Sequence, residues 1–208
     1  MSAPCALFIL GHAGTGKSVL TTRFIQRQLQ QQRTWCVLDK DTVGEYWTGP
    51  FLEAFGQDPN DRDSPFFKEK IRDLQYKSTL LIGKEQLELG LNVVFPGPWS
   101  RELASGALFS AQALGLPANT SLRHVWLDLP HPVRKARIIQ RADPRDHWKL
   151  QNWEAYIQSL KKPPAVEQGK IPVLDASVSP DALLNALETL LQNPPGNLTP
   201  RDTVMQKT

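Results

Sequence analysis

The sequence predicts an α/β domain of three layers, a five-stranded parallel sheet with helices on both faces, and three observations carry that reading. Short apolar runs recur along the 208 residues, each too brief to be a helix. Segments with apolar residues at helical spacing separate them, and strands alternating with helices pair in parallel through right-handed crossovers. The first apolar run leads directly into a glycine-rich loop, GHAGTGKS at residues 11–18, and then into an amphipathic helical pattern.

Residues 6–10, ALFIL, lie between Pro4 and Gly11 and suit a strand buried on both faces. Leu20, Phe24, Ile25 and Leu29 then give the helix its apolar stripe, before the polar stretch Gln30 to Arg33. Residues 35–38 (WCVL), 92–95 (NVVF), 124–127 (HVWL) and 171–174 (IPVL) predict the other four strands, and helical patterns cover 66–89, 132–141, 150–160 and 180–191. Ligands bind beyond the carboxyl ends of the strands in such a sheet, so the loops starting at Gly11, Asp39, Pro96, Asp128 and Asp175 should converge on one cleft. The domain is expected to span 1–192, with a substrate-side insertion at 42–77, rich in Asp, Pro and Phe, and a lid region at 131–150. Residues 193–208 hold three prolines and no apolar period, which predicts a flexible C-terminal tail.

Composition sets outer bounds on function. Hydrophobic residues at 40% and charged residues at 22% describe a globular domain able to bury a core without disulfides or structural metal. The net charge of +3 suits a phosphate-bearing ligand but is too small for a protein that coats nucleic acid. Cys5 and Cys36 can form at most one bridge and no Cys-rich zinc site. With no secretory-type leader and no stretch approaching 18 apolar residues, the expectation is a cytoplasmic protein that does not engage a membrane.

Residues 11–18 match GxxxxGK[ST], the phosphate-binding loop of P-loop NTPases, in the strand-loop-helix context the motif requires. Gly11, Gly14 and Gly16 let the backbone turn with its N–H groups inward, a concave nest for phosphate at a helix N-terminus. Lys17 is expected to bridge the β- and γ-phosphates, and Ser18 to place its hydroxyl on Mg²⁺. His12, Ala13, Thr15 and Val19 complete the nucleotide-binding stretch, with the His12 side chain expected to be exposed loop. The cofactors implied are a nucleoside triphosphate and Mg²⁺.

A GTPase should carry an NKxD base-reading motif, which is absent, and a DxxG after its third strand; DTVG at residues 41–44 follows the second strand instead. A mechanical ATPase should end a strand in Asp-Glu, yet the third strand runs into Phe95, Pro96, Gly97 and Pro98. A phosphotransferase remains. Asp39 and Asp41, in LDKDT, stand where a carboxylate can face the γ-phosphate. Asp41 is the candidate base that accepts a hydroxyl proton and aims the oxygen, with Asp39 holding Mg²⁺ through water. Either carboxylate can instead cap the following helix. Downstream, Arg134, Arg137, Arg141 and Arg145 recur at spacings of three, four and four, a row suited to close over a triphosphate and stabilise the transferring group. The alternative is a solvated face paired with Asp143 and Asp146.

On these residues the chain resembles the small P-loop kinases, the family that includes chloramphenicol phosphotransferase, zeta toxins and the kinase domain of polynucleotide kinase, over about residues 5–192. LDKDT, GQDPNDRDSP and RADPRDHWKLQNWEAY also resemble a widespread set of small bacterial proteins labelled AAA family ATPase. The resemblance implies ATP as the nucleotide at residues 11–18, a substrate-activating Asp41, a lid centred on Arg137, Arg141 and Arg145, and an adenine-side loop at Ala176 and Ser177. The sequence departs from many relatives in VVFPGPWS, which lacks an acidic residue at the end of the third strand and leaves Mg²⁺ to Ser18, Asp39 or water.

Substrate hints come from the six tryptophans, of which Trp47, Trp99, Trp148 and Trp153 fall in or beside cleft segments, where their faces could sandwich an acceptor. Trp153 reads first as part of a core stripe with Leu150, Ile157 and Leu160, and Trp47 and Trp99 fit core positions as well as cleft ones. Residues 58–64, DPNDRDS, read as a capped turn or as a polar wall in which Arg62 binds an acidic group. Arg101 is placed to reach a phosphate from the third-strand loop, or to be a surface residue. The leading expectation is an ATP- and Mg²⁺-dependent kinase acting on a hydroxyl of a small molecule. The second is a nucleotide or nucleic-acid-end kinase, without the basic, aromatic-interleaved stripe a long polynucleotide would need. The third is a non-catalytic ATP-binding regulatory protein whose closed lid presents a surface to a partner.

Overall fold

In the computed structural model residues 3–192 are described, so the tail expected at 193–208 lies outside them. Strands β1 (Cys5–Leu10), β2 (Trp35–Val37), β3 (Asn92–Gly97), β4 (Ser121–Asp128) and β5 (Val173–Asp175) form one parallel sheet in the order β2-β3-β1-β4-β5. β1 is central, with Phe8 opposite Phe95 on one side and His124 on the other. Its residues Ala6 to Leu10 have no exposed surface, which is why they are apolar without alternation.

Alternate residues of the strands feed two cores. Ala6, Phe8, Leu10, Val93, Phe95 and Trp126 face one layer, where helices α5 (Arg72–Glu88) and α6 (Ser100–Ala104) lie. Leu7, Ile9, Val94, Val125 and Leu127 face the other, covered by α1 (Lys17–Gln30) through Leu20 and Phe24 and by a C-terminal helix (Pro180–Gln192) through Leu183, Leu184 and Leu187. Gly83 lets α5 pack closely on the sheet, since a Cβ there would stand 2.3 Å from Phe95 Cζ.

Beyond the carboxyl ends of the strands, α2 (Lys40–Val43), α3 (Glu45–Ala54) and α4 (Pro65–Lys70) follow β2 and gather their own small core of Leu52, Phe67 and Ile71. After β4 come α7 (His131–Arg141), a 3₁₀ turn at Pro144–Asp146, α8 (His147–Gln151), α9 (Trp153–Ser159) and α10 (Pro164–Glu167); the C-terminal helix is α11. No helix among the described residues is long and apolar enough to cross a membrane.

Several boundaries differ from the sequence reading, for local reasons. The helical pattern over 66–89 breaks at Ile71 (φ −115°) into α4 and α5, and α4 is started by Ser64, whose Oγ accepts from the Phe67 N–H at 3.1 Å. The pattern over 150–160 breaks at Asn152, separating α8 from α9. β3 runs on through Pro96 and Gly97, which pair with Ile9 and Leu10, so its loop starts later than expected. β5 begins at Val173, although the Pro172 carbonyl already accepts from the Trp126 N–H at 2.9 Å.

Candidate active site

The glycine loop joins the central strand to α1, and its three glycines all have positive φ: 143° at Gly11, 79° at Gly14 and 88° at Gly16. The loop is gripped from both sides. A side chain at Gly11 would meet the Leu127 carbonyl at 2.9 Å, and one at Gly14 would meet Ile138 Cγ1 at 2.9 Å and Arg134 Cγ at 3.1 Å. Thr15 Oγ1 donates to the His12 carbonyl at 2.9 Å and locks the curve. Gly16 starts α1 without any side-chain cap, so the first amides of the helix are available to an anion, with Ser18 and Val19 exposed on that turn.

Lys17 turns back over the loop, its Nζ donating to the carbonyls of Gly11 (2.9 Å) and His12 (2.8 Å). Burial lowers its ammonium to about 7, with Asp39 opposing the shift and Lys40 and Arg141 adding to it. His12, expected to be exposed, is half-buried with its ring edge-on to Trp126 at 5.1 Å. Burial first, then the charges of Arg134 and Lys17, hold its imidazole at about 4, so it is neutral.

At the end of β2, Asp39 caps α2 by accepting the Asp41 N–H on Oδ1 at 2.9 Å, the capping alternative, and its Oδ2 stays outside that bond. Burial, then the charge of Asp41, raises the Asp39 carboxyl. Asp41 lies 2.5 Å from Lys40 Nζ. Burial would raise Asp41, but Lys40, then Arg145 and Arg62, outweigh it and hold the carboxyl below its ordinary range. Lys40 is the residue that sequence reasoning missed; its only signal was its place between two aspartates. It is nearly buried and lies 5.7 Å over the Tyr76 ring, which also carries the Arg72 guanidinium at 3.7 Å and meets Trp99 edge-on at 4.6 Å. Arg72 is in turn fixed by both oxygens of Glu102, at 2.8 and 2.6 Å.

The arginine row divides. Arg134 does not join a clamp: it is 2% exposed, wedged under Gly14, with Nη2 donating to the Leu129 carbonyl at 2.9 Å and Nε and Nη1 buried without partners. Arg137 bridges the glycine loop and the loop after β5, with Nη2 on the Ala176 carbonyl at 3.0 Å and Nη1 beside Gly16. Ser177 of that loop gives both its N–H (2.8 Å) and its hydroxyl (2.6 Å) to Asp175. Arg141 pairs with Asp146, and Arg145 with Asp143 at 2.7 Å and Glu45 at 3.8 Å. These are the acidic partners named by the solvated-face alternative, yet Asp146 has no exposed surface, and the charges of Arg141 and Arg145 are felt at Lys17 and Asp41.

Of the residues expected to border an acceptor, Arg62 lies within the field of Asp41 and Arg145 and spends its Nη1 on the carbonyls of Pro59 (2.8 Å) and Asp61 (2.7 Å). Trp47 packs half-buried on the small core, its indole N–H donating to the Val43 carbonyl at 3.2 Å. Arg101 is corrected: it turns to the α4–α5 junction, bonding Asp73 at 2.8 Å and the Lys68 carbonyl at 2.7 Å. Trp99 takes the core alternative: a left-handed turn (φ 46°) folds it beneath the sheet at 1% exposure, against Phe8 and Phe95. Trp153 is only half-buried, under Lys135 at 5.1 Å, and Tyr156 takes the core position on α9; Trp148 is half-buried beside Lys68 at 5.7 Å.

No carboxylate stands at the end of β3, and no group of three or more His, Cys, Asp or Glu that could hold a metal occurs among the described residues. The donors present still suit Mg²⁺, which takes one or two protein oxygens and fills its octahedron with phosphate and water. Ser18 Oγ at the loop rim and Asp39 Oδ2 are oxygens of the kind it takes, directly or through water. A cavity of about 270 Å³, lined by residues including Cys5, Trp35 and Arg123, lies at the opposite end of the strands from the glycine loop.

A glycine loop between the central parallel strand and a helix, followed by lysine and serine and faced by arginines from α7, defines a P-loop nucleotide-binding protein with the fold of the small P-loop kinases. A family model described as AAA domain matches residues 7–163, and the chain belongs to that family. Among solved structures the chain is similar to the APS kinase CysC of Mycobacterium tuberculosis in complex with AMPPNP and APS, at 17% identity and a TM-score of 0.59, over 92% of this chain and 99% of that one. It is also similar to a gluconokinase from Sinorhizobium meliloti 1021, at 14% identity and a TM-score of 0.56, over 92% of this chain and 94% of that one. Both likenesses concern the fold. No curated protein matches the sequence.

Proposed function

We propose that the protein is an ATP- and Mg²⁺-dependent kinase that moves the γ-phosphoryl group of ATP to a hydroxyl of a small molecule. The observation that carries this reading is one cluster of charges around Lys17: Asp39, Lys40 and Asp41 from the end of β2 and Arg141 from α7 all bear on the glycine-loop ammonium. That is the set in-line phosphoryl transfer needs at one point, with cations for the phosphates and a carboxylate for the attacking oxygen. ATP as donor rests on the family resemblance and on the AMPPNP bound by the similar APS kinase.

In this reading the inward amides of residues 11–18 and Lys17 hold the triphosphate, and Arg137 secures the nucleotide between the loop and Ala176. Ser18 and, through water, Asp39 would hold Mg²⁺, and the ion would supply positive charge to offset that of the phosphates. Asp41, ionised at neutral pH by its pairing with Lys40, orients the acceptor hydroxyl and takes its proton as the new P–O bond forms. Arg141 and Arg145 offset the charge that builds on the transferring group, and Arg62 and Trp47 border the acceptor. A free small molecule, met in the cytoplasm, is the proposed partner.

The test is ADP release with Mg²⁺ against a panel of hydroxyl compounds: antibiotics, sugars, hydroxy acids, nucleosides and oligonucleotide ends, with Lys17→Ala as the blank. Release stimulated by one class and lost in the blank supports the reading and names the acceptor. ATP binding with no stimulated release across the panel would count against it, in favour of the regulatory alternative.

A further inference from the structure

We infer that Asp146, Lys149 and Asp63 are positioning residues for Arg141, a buried chain of alternating charges that ties this arginine of the lid to the acceptor-side lobe. The inference rests on the proposed role of Arg141 at the triphosphate. Asp146 has no exposed surface and serves two cations: Arg141, through Nε and through Nη2 at 2.6 Å, and Lys149 Nζ at 3.0 Å. Lys149, itself only 6% exposed, also lies 2.5 Å from Asp63 Oδ2, an ion pair outside hydrogen-bond geometry in which the Asp63 side chain is 18% exposed. Asp63 belongs to the other side of the cleft, in the turn before α4, which Asp61 Oδ1 fixes by accepting the N–H groups of Asp63 and Ser64, both at 2.9 Å.

The geometry does two things. The two-pronged grip on Asp146 sets the plane of the Arg141 guanidinium and leaves Nη1 as the donor free to meet a phosphate. Burial then makes the links interdependent. A surface pair can break and be solvated, but withdrawing one member of a buried chain strands the next charge, so a shift of the Asp63 turn carries through Lys149 and Asp146 to Arg141. A lid arginine held in this way is presented to the nucleotide according to the state of the lobe that borders the acceptor.

The test uses calorimetric binding of Mg²⁺–AMPPNP and Mg²⁺–ADP to the full chain, with the affinity ratio as readout because it isolates the terminal phosphate. Arg141→Ala should reduce that ratio about tenfold. Lys149→Met and Asp63→Asn should each reduce it several-fold alone, and change it no further in the Arg141→Ala background. A ratio unmoved by the two single variants, an equal effect in the Arg141→Ala background, or an Arg141→Ala ratio like that of the parent would each overturn the inference. Asp146→Asn is the most direct variant, but it can prevent folding by stranding two buried cations, so Asp63→Asn at the end of the chain keeps the question answerable. Phosphoryl transfer is not part of this readout. A protein that shows the coupling but phosphorylates no hydroxyl compound loses the proposed function and keeps the chain; one that transfers phosphate without the coupling loses only the chain.

Discussion

Nucleotide binding should take up a proton, and Lys17 sets the size of the effect. Its ammonium is buried against the carbonyls of Gly11 and His12 and sits at about 7 without ligand, whereas triphosphate oxygens would return it to the ordinary lysine range near 10.5 or above. ATP therefore binds the charged form, and above about pH 7 the protein must first be protonated. The affinity penalty is one plus ten to the power of the pH less the pKa. Between about pH 6.5 and about pH 8.5 this weakens ATP about 25-fold, or about 2 kcal/mol. At about pH 8, binding should absorb about 0.9 of a proton. Calorimetry in two buffers of different ionisation enthalpy counts that proton directly. The sign for stability is opposite: a lysine whose folded value is depressed penalises the fold fully below about pH 7, and the penalty is relieved as pH rises toward its unfolded value. The unliganded protein should thus gain thermal stability over the range in which it loses affinity. Lys17→Arg, which keeps the charge without titrating, should abolish both trends. A flat affinity with no proton uptake would refute the argument that burial has depressed Lys17.

Asp41→Asn should lower acceptor-dependent turnover by about two to four orders of magnitude while leaving ATP affinity within about threefold, measured by turnover and equilibrium titration; retained turnover would remove Asp41 from the base role. Gly83→Ala should destabilise the fold by about 1–3 kcal/mol despite a helix-propensity gain of about 1, because the new methyl meets the fully buried Phe95 ring, itself stacked on Phe8 at 4.9 Å. Urea unfolding should report this as a lower midpoint at unchanged slope. Arg134→Met should be neutral or stabilising by up to about 1 kcal/mol, since it keeps the stem under Gly14 and removes a buried guanidinium with two unpartnered nitrogens; Arg134→Ala should cost about 2 kcal/mol or more through the cavity it opens. Equal losses in the two variants would mean that the charge, not the stem, supports the loop.

What was legible in the sequence was what is local. A strand buried on both faces reads as a continuous apolar run, and a phosphate loop is encoded within eight residues, so β1, the glycine loop and α1 could be placed from composition and spacing. What escaped depends on distant partners. Lys40 acquires its position from the Tyr76 ring across the cleft, and Asp146 from the packing that buries it between Arg141 and Lys149. Periodicity put Arg134 in register with Arg137 and Arg141, but the tilt of α7 onto Gly14 turns it inward. Trp99 follows a strand, as a cleft residue would; one left-handed backbone angle sends it to the core instead. The breaks at Ile71 and Asn152 were invisible because the apolar pattern continues across them while the backbone does not.

The place of β1 in the middle of the sheet has a consequence for how the molecule breathes and for what it can become. Its hydrogen bonds to β3 and β4 cannot open without dismantling the sheet, so its amides should exchange with solvent only at the cost of global unfolding. The segments carrying Arg62 and Arg145 are turns at the periphery, outside the sheet and its covering helices. One side of the site is thus as rigid as the protein itself, and the other lies outside that frame. A lineage can vary those peripheral segments by small changes without disturbing the central strand or the glycine loop that follows it.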